Sequence, residues 1–495
     1  MVEYKAPHRE YEFILKEVLK IEEVLNKYPE YDEASWDMIQ MISEQFGKIN
    51  EEYWVASNKE GDEVGAIFDE GRVIVPEKMK EATKMVIESG LTQLFGHQKY
   101  GGMEFPNVIS VLSDEMSCSA NMALGVYMGL TKGAYHCIRY HGSEEIKNTY
   151  LPKFVSGEWF GTMCLTEAHC GTDLGLIRTT AKPKEDYYSL NGQKIFISCG
   201  EHDMGDNIIH LVLAKLPDAP KGVKGISLFL VPKYVVNEDG TLGERNGVNC
   251  VSIEEKMGVH GSPTCVMSFE NAKGYLVGEI NDGLAAMFSM MNTERIAVGL
   301  QGLGLAEIAY QNGLAYAKDR IQGRDLKEPR NPDDEADPLI VHPDVRRMLM
   351  RSKALIDSGR MLACWTALSI DKYEKDSDEK VQREAHDLVE LMTPIIKSLL
   401  TDYGVEITSD MLQIYGGHGY IKEYGMEQFY RDVRIAPIWE GTNGIQALDL
   451  AGRKMPQGMG RLLRRFFHPA LDFIEKNKDD DNLKEFIVPF SKALK

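Results

Sequence analysis

The hydrophobic repeat changes twice along this chain of 495 residues, and those changes constrain the fold more than any single motif. From Tyr11 to about Gly157 apolar residues recur at three and four. That spacing predicts helices over Glu12 to Asn26, Glu33 to Trp54, Pro76 to Ser89 and Val108 to Tyr127. Between Gly161 and Gly278 the pattern becomes alternation and short β-branched runs, as in Lys194 to Ser198, Ile208 to Ala214, Ile226 to Val231 and Cys265 to Phe269. Turn signals separate them at Asn191-Gly192, Asp239-Gly240 and Asn271 to Gly274. After Asp282-Gly283 the helical period returns and runs through Ala285 to Lys318, Pro343 to Tyr373, Glu379 to Tyr403 and Val405 to Tyr415. A period of 3.6 and a period of 2 cannot share one element, so the chain reads as α+β and multidomain. We expect an N-terminal helical domain (1–160), a middle antiparallel β domain (161–280), a C-terminal helical bundle (281–455) and a helical tail (456–495).

Charge limits the partners. Lysine and arginine total 56 against 76 for aspartate and glutamate, a net charge of -20 that repels nucleic acid. The densest basic cluster, Arg461, Arg464 and Arg465, reads as a solvated helix face. The eight cysteines form no CxxC pair or zinc spacing, the start is polar, and no stretch is apolar enough to span a membrane. The expectation is a protein of the cytoplasm with no nucleic-acid partner and no membrane span.

Four segments carry chemistry. Gly161 to Asp173 ends an extended run in a Gly/Thr/Asp loop, which suits either phosphate oxygens or ordinary turn chemistry. Asn191 to Ser198 is a hairpin turn leading into a strand in which Phe196 and Ser198, two apart, share a face; a flavin ring or core packing accounts for Phe196 equally well. At Gln413 to Tyr420 a helical run stops in a glycine cluster, read either as a C-cap or as a close cofactor approach. In Arg431 to Gln446, Glu440 stands between Pro437-Ile438-Trp439 and Gly441. A carboxylate held against an indole in a dry pocket has a raised pKa, toward the range of a general base.

Taken in order with Lys256 to Thr264 and Arg320 to Arg324, these segments resemble the acyl-CoA dehydrogenase family from about Tyr100 to Lys454, and within it the larger bacterial branch that includes 3-methylmercaptopropionyl-CoA dehydrogenase. The resemblance implies FAD as cofactor and Glu440 as the catalytic carboxylate. It implies that Leu165, Thr166, Phe196 and Ser198 meet the flavin, that Thr172 lies by the pyrophosphate or the CoA, and that Thr442 sits beside the cofactor. Arg320, Gln413 and Gly417 would serve the FAD of a neighbouring subunit, and Arg295 and Gly441 would lie by the substrate. Two departures stand out: no proline follows Glu167, and Phe196 replaces a tryptophan common in the family.

The implied reaction is α,β-dehydrogenation of an acyl-CoA thioester to the trans-2-enoyl-CoA, Glu440 removing the α-proton while hydride passes to flavin N5. An electron-transfer flavoprotein is the implied acceptor and a homo-oligomer, dimer or tetramer, the implied assembly. Alternative readings are a flavin-containing relative that binds or protects without catalysis, and an acyl-CoA oxidase using oxygen.

Overall fold

A computed structural model describes residues 2–494, apart from the side chains at positions 289, 292 and 293. Helices come first: α1 (His8–Glu12), α2 (Ile21–Leu25), α3 (Trp36–Ile49), α4 (Val55–Glu63), α5 (Glu77–Glu88), α6 (Asn107–His141) and α7 (Glu144–Val155). A hairpin absent from the sequence reading, β1 (Ile67–Asp69) with β2 (Arg72–Ile74), interrupts them. Its turn residues Glu70 and Gly71 have φ of 46° and 86°, the paired positive values of a type I′ turn. Helix α6 runs well past the predicted end at Tyr127. Its one break is Asn121, whose non-helical backbone is followed by a cap in which Asn121 Oδ1 accepts the Leu124 N–H at 3.1 Å.

The middle of the chain forms strands β3 (Trp159–Cys164), β4 (Thr180–Pro183), β5 (Tyr188–Ser198), β6 (Asn207–Lys215), β7 (Ile226–Pro232), β8 (Tyr234–Val236), β9 (Leu242–Arg245), β10 (Val248–Ile253) and β11 (Thr264–Val277). Strand β11 pairs with β5 and β7, β7 with β6, and β4 joins β5 to β6, so these five strands close a ring. Cys164, Leu190, Val212, Phe229, Met267 and Phe269 belong to the core of this domain. The sheet is not wholly antiparallel, as the alternation alone had implied. Strand β3 runs parallel to β6 from Trp159 opposite Asn207 to Cys164 opposite Val212, and β4 meets β6 in parallel. The long crossover from β3 through β4 and β5 permits this pairing, which a tight hairpin cannot make.

The remaining helices are α8 (Gly283–Asp319), α9 (Pro343–Lys375), α10 (Glu379–Ile414), α11 (Met426–Val433), α12 (Asn443–Asp449), α13 (Arg461–Asn477) and α14 (Lys484–Ala493). The sequence reading broke α10 at Gly404, but the helix continues through it. Gly404 lies where α10 crosses α8: a Cβ there would stand 2.7 Å from the Gly302 carbonyl oxygen, and one on Gly302 only 2.4 Å from that of Leu400. Close approach, not termination, explains both glycines. A second correction concerns the basic cluster. Arg461 pairs with Asp387 of α10 at 2.8 Å and Arg465 with Glu384 at 2.8 Å, so these two help dock α13 on the bundle while staying partly exposed, and Arg464 meets solvent as the sequence reading has it. Among the described residues no helix is long and apolar enough to cross a membrane.

Gly302→Val should force α8 and α10 apart. We expect a loss of about 1–3 kcal/mol in urea unfolding, as for other overpacked cores. Gly444→Ala, with no atom within 4 Å of the new Cβ, should be neutral or slightly stabilising in the same assay.

Candidate active site

A cavity of about 1190 Å³ of atom-free space, its open mouth included, lies between α5, α6 and α8. Trp439 and Glu440 of the turn after α11 line one side, and Ser198 at the end of β5 reaches it from the β domain. Glu440 reaches this position through an unusual backbone. Its φ is 52° and that of Gly441 81°, two consecutive left-handed residues that reverse the chain before α12. Only glycine takes such a value without cost, and a Cβ on Gly441 would also stand 2.6 Å from Gln446 Nε2. Gln446 secures the turn, donating to the Gly441 carbonyl at 2.8 Å. The indole of Trp439 is fixed by donation to Gln301 Oε1 of α8 at 3.1 Å.

Burial raises the Glu440 carboxyl to about 7, while Lys397 and then Arg295 pull the other way. The sequence reading anticipated the direction but missed Lys397, a fully buried side chain of α10. Lys397 donates to Asn443 Oδ1 at 2.8 Å, and Asn443 donates to Asp402 at 2.8 Å and to Thr401 at 3.0 Å, so the first residue of α12 is tied to α10. Burial lowers Lys397 itself to about 8. Arg295 is also buried and is paired with Asp449 at 3.0 Å; it acts on Glu440 by its charge and is not among the residues lining the cavity. Glu294, one residue earlier, does line it. A lone lysine in the apolar run Leu391 to Leu400, and a charged pair in Met290 to Val298, were the signals available in the sequence.

On the β domain, Leu165 and Thr166 are half-buried at the end of β3 and Thr172 is exposed in the following loop. Glu167 pins that loop. It accepts hydrogen bonds from the Arg178 N–H at 2.7 Å, Thr179 Oγ1 at 2.7 Å and Lys194 Nζ at 2.8 Å. Its own N–H and carbonyl bond those of Cys170, both at 2.9 Å. Burial would raise the Glu167 carboxyl, but Lys194 and these donors hold it down at about 2. With no proline after Glu167, the loop is held by this ion-paired lock. The strand alternation fails at Phe196: β5 bulges against β11 between Lys194 and Ile197, and Phe196 takes a φ of 57°. Its ring is 59% exposed, while Ser198 turns to the cavity. The shared face expected of the two residues is broken by this bulge.

Arg320, Gln413, Gly417 and Thr442 are exposed, and none of the four lines the Glu440 cavity. Arg320 follows the end of α8, and Gln413 and Gly417 flank the end of α10. Tyr316 of α8 stacks on Tyr415 at 4.0 Å and bonds His418 at 2.9 Å, which brings these two helix ends together. Nothing lies within 4 Å of where a Cβ on Gly416 or Gly417 would be. Thr442 stands at the N-cap position of α12, where its side chain makes no capping bond.

Three domain descriptions match in chain order: acyl-CoA dehydrogenase N-terminal domain over residues 59–158, middle domain over 162–272 and C-terminal domain over 281–455. The chain belongs to the acyl-CoA dehydrogenase family. It is 44% identical over 464 residues to 3-methylmercaptopropionyl-CoA dehydrogenase of Ruegeria pomeroyi, covering 94% of this chain and 78% of that protein. It is 36% identical over 499 residues to a butyryl-CoA dehydrogenase of Syntrophomonas wolfei, covering 98% and 81%. Among solved structures, butyryl-CoA dehydrogenase from Megasphaera elsdenii superposes with a TM-score of 0.68 at 26% identity, over 84% of this chain and 98% of that one. A chain from the structural study of the electron transferring flavoprotein of Acidaminococcus fermentans gives 0.69 at 26% identity, over 85% and 98%. This acyl-CoA dehydrogenase is an FAD-dependent oxidoreductase that dehydrogenates an acyl-CoA thioester between its α and β carbons. The residues present fit an FAD: a large aromatic ring left bare on the β domain, and a backbone left uncovered at Gly416 and Gly417.

Lys194→Met should leave Glu167 buried without its cation, at about 3–5 kcal/mol of stability. Because the Glu167 carboxyl is depressed in the folded chain, its contribution is present above the ordinary carboxylate range and lost as pH falls toward about 2. Denaturant unfolding of the variant should therefore show its largest deficit near neutral pH and a smaller one in acid.

Proposed function

We propose that Glu440 is the base of this acyl-CoA dehydrogenase. The carrying observation is a carboxylate brought by a left-handed turn to the wall of a largely apolar cavity, with its pKa raised to about 7. A proton α to a thioester is weakly acidic, so a base near neutrality removes it more readily than an ordinary carboxylate does. Charge then develops on the thioester oxygen. The Glu440 backbone N–H has no backbone acceptor among the described residues and is free to donate to that oxygen. Lys397 and Arg295 keep enough of Glu440 ionised to act, and Trp439 walls off water. FAD, when bound, supplies the acceptor for hydride leaving the β-carbon.

In this reading Leu165, Thr166, Phe196 and Ser198 hold the flavin ring, with Thr172 near the pyrophosphate or the CoA and Thr442 beside the cofactor. Gly441 contacts substrate, and Arg295 tunes the base from its pair with Asp449. The gathering of Arg320, Gln413 and Gly417 away from the Glu440 cavity supports their serving the FAD of a second copy, hence a homo-oligomer. The likeness to a chain studied with an electron transferring flavoprotein supports such a protein as the electron acceptor. The absence of a spanning helix among the described residues accords with a cytoplasmic location.

Anaerobic bleaching of the flavin by 3-methylmercaptopropionyl, butyryl and longer acyl-CoA thioesters tests the assignment. One class should bleach the wild type, and Glu440→Gln should slow that bleaching by at least about 10²–10⁴-fold while FAD stays bound. Bleaching by the variant at the wild-type rate would sink the assignment. Lys397→Met removes a cation that favours the Glu440 carboxylate. The acid limb of bleaching against pH should therefore move above its wild-type position near 7.

A further inference from the structure

Besides Glu440 and Asp114, which is paired with Lys132, the cavity is lined by a third carboxyl group. Glu294 of α8 is 4% exposed, and its Oε1 has no hydrogen-bond partner among the described residues. Space for it is made on α6 by glycine: a Cβ on Gly133 would lie 2.4 Å from Glu294 Oε1, and one on Gly129 4.0 Å from Oε2. The charged groups that act on it come from the turn after α11 and from α6, and two further cations act on Glu440. Glu440 faces it from the turn after α11, and Lys132 and Asp114 face it from α6, paired with each other at 2.6 Å. Lys397 of α10 is bonded to Asn443, and Arg295, its neighbour on α8, is paired with Asp449 at 3.0 Å. Every nearby cation is thus already engaged, and a carboxylate at Glu294 would be buried without a donor. Two negative charges in one cavity would also oppose the charge that builds on the thioester as the α-proton leaves.

We propose that Glu294 is the proton-holding partner of Glu440: in the active enzyme Glu294 is the neutral acid and Glu440 the carboxylate, so beyond the Asp114–Lys132 pair the cavity carries one negative charge. Glu294 is on this view a positioning residue. It keeps its proton throughout, while the α-proton of the substrate moves to Glu440. The inference rests on Glu440 as the base. Burial, followed by the charge of Glu440, raises Glu294, whereas Lys397 and Arg295 oppose the effect of burial on Glu440; both directions agree with Glu294 as the group that keeps its proton. Groups this close titrate as a pair.

The test is the pH dependence of anaerobic bleaching in the holoenzyme, joined to infrared titration of buried carboxylic acid. Wild type should lose bleaching rate above about pH 8, as Glu294 ionises. Glu294→Gln, of the same shape and permanently neutral, should bleach within about threefold of wild type near pH 7.5 and should not fall at higher pH. Lys397 titrates in the same range, so an alkaline limb that survives in Glu294→Gln belongs to Lys397 and overturns the proposal. The infrared arm uses Glu440→Gln holoenzyme, which retains Glu294 without its charged neighbour. A carboxylic acid band should be present near neutrality and should titrate at lower pH than in wild type. Its absence there overturns the proposal even if Glu294→Gln does not fold. If Glu440→Gln still bleaches at the wild-type rate, the base assignment fails first and the pair fails with it. An inactive Glu440→Gln beside an unchanged Glu294→Gln profile removes only the pair.

Discussion

The crossing of α8 over α10 is the constraint on which the site depends. Gly302 and Gly404 let the two backbones approach until a single added methyl would collide, and Gly299 does the same against Ile396. At that distance α8 supplies side chains to the cavity wall while α10, behind it, holds the turn that carries Glu440. Helix α8 contributes Glu294 and Gln301 to the lining, and Lys397 of α10 bonds Asn443 at 2.8 Å, which fixes the start of α12 and so the turn that carries Glu440. A helix pair held farther apart would move Lys397 away from Asn443 and Glu440 away from its cation. Packing at glycine is here a condition of the chemistry, reached through geometry and not through any contact with substrate.

The electrostatics of the cavity is a balance of incomplete compensations. Burial would push Glu440 far up, and a bare lysine beside it would pull it far down; neither extreme yields a base at neutral pH. Arg295 is half-answered by Asp449, and Lys397 is weakened by its own burial, so each cation acts with less than its full effect. The result lies near 7. A group tuned by several opposed effects shifts modestly when any one is removed, whereas a single buried ion pair collapses when its partner goes. Glu167 with Lys194 is of the second kind, and its role is structural.

The sequence disclosed what periodicity and local motif can carry. The helical, β and helical order followed from the hydrophobic repeat, and the environment of Glu440 followed from its neighbours Pro437, Ile438 and Trp439. What escaped it depends on contacts between distant segments. Gly404 reads as a break because a glycine in a helix weakens it locally, and only the presence of Gly302 on another helix reverses the meaning. Phe196 and Ser198 alternate on paper, and the bulge that separates them is set by the pairing with β11. Arg461 and Arg465 look solvated until Glu384 and Asp387 are placed opposite them. Lys397 and Glu294 were visible as charges in apolar runs, but nothing local said that both would face one carboxylate.

The lock at Glu167 and the bulge at Phe196 belong to one arrangement. Lys194, two residues before Phe196, donates to both Glu167 and the Leu165 carbonyl, and the Ile195 N–H donates to the Thr166 carbonyl at 2.9 Å. The end of β3 and the bulged part of β5 are therefore one rigid piece, held by a buried charge pair beneath the surface. An aromatic ring in a left-handed conformation, more than half exposed, is unfavourable both in backbone and in solvation. It persists because the lock below leaves the backbone no alternative. On the role proposed for Phe196, a surface fixed in this way would meet the flat flavin ring with part of the ordering cost of binding already met by the fold of the β domain.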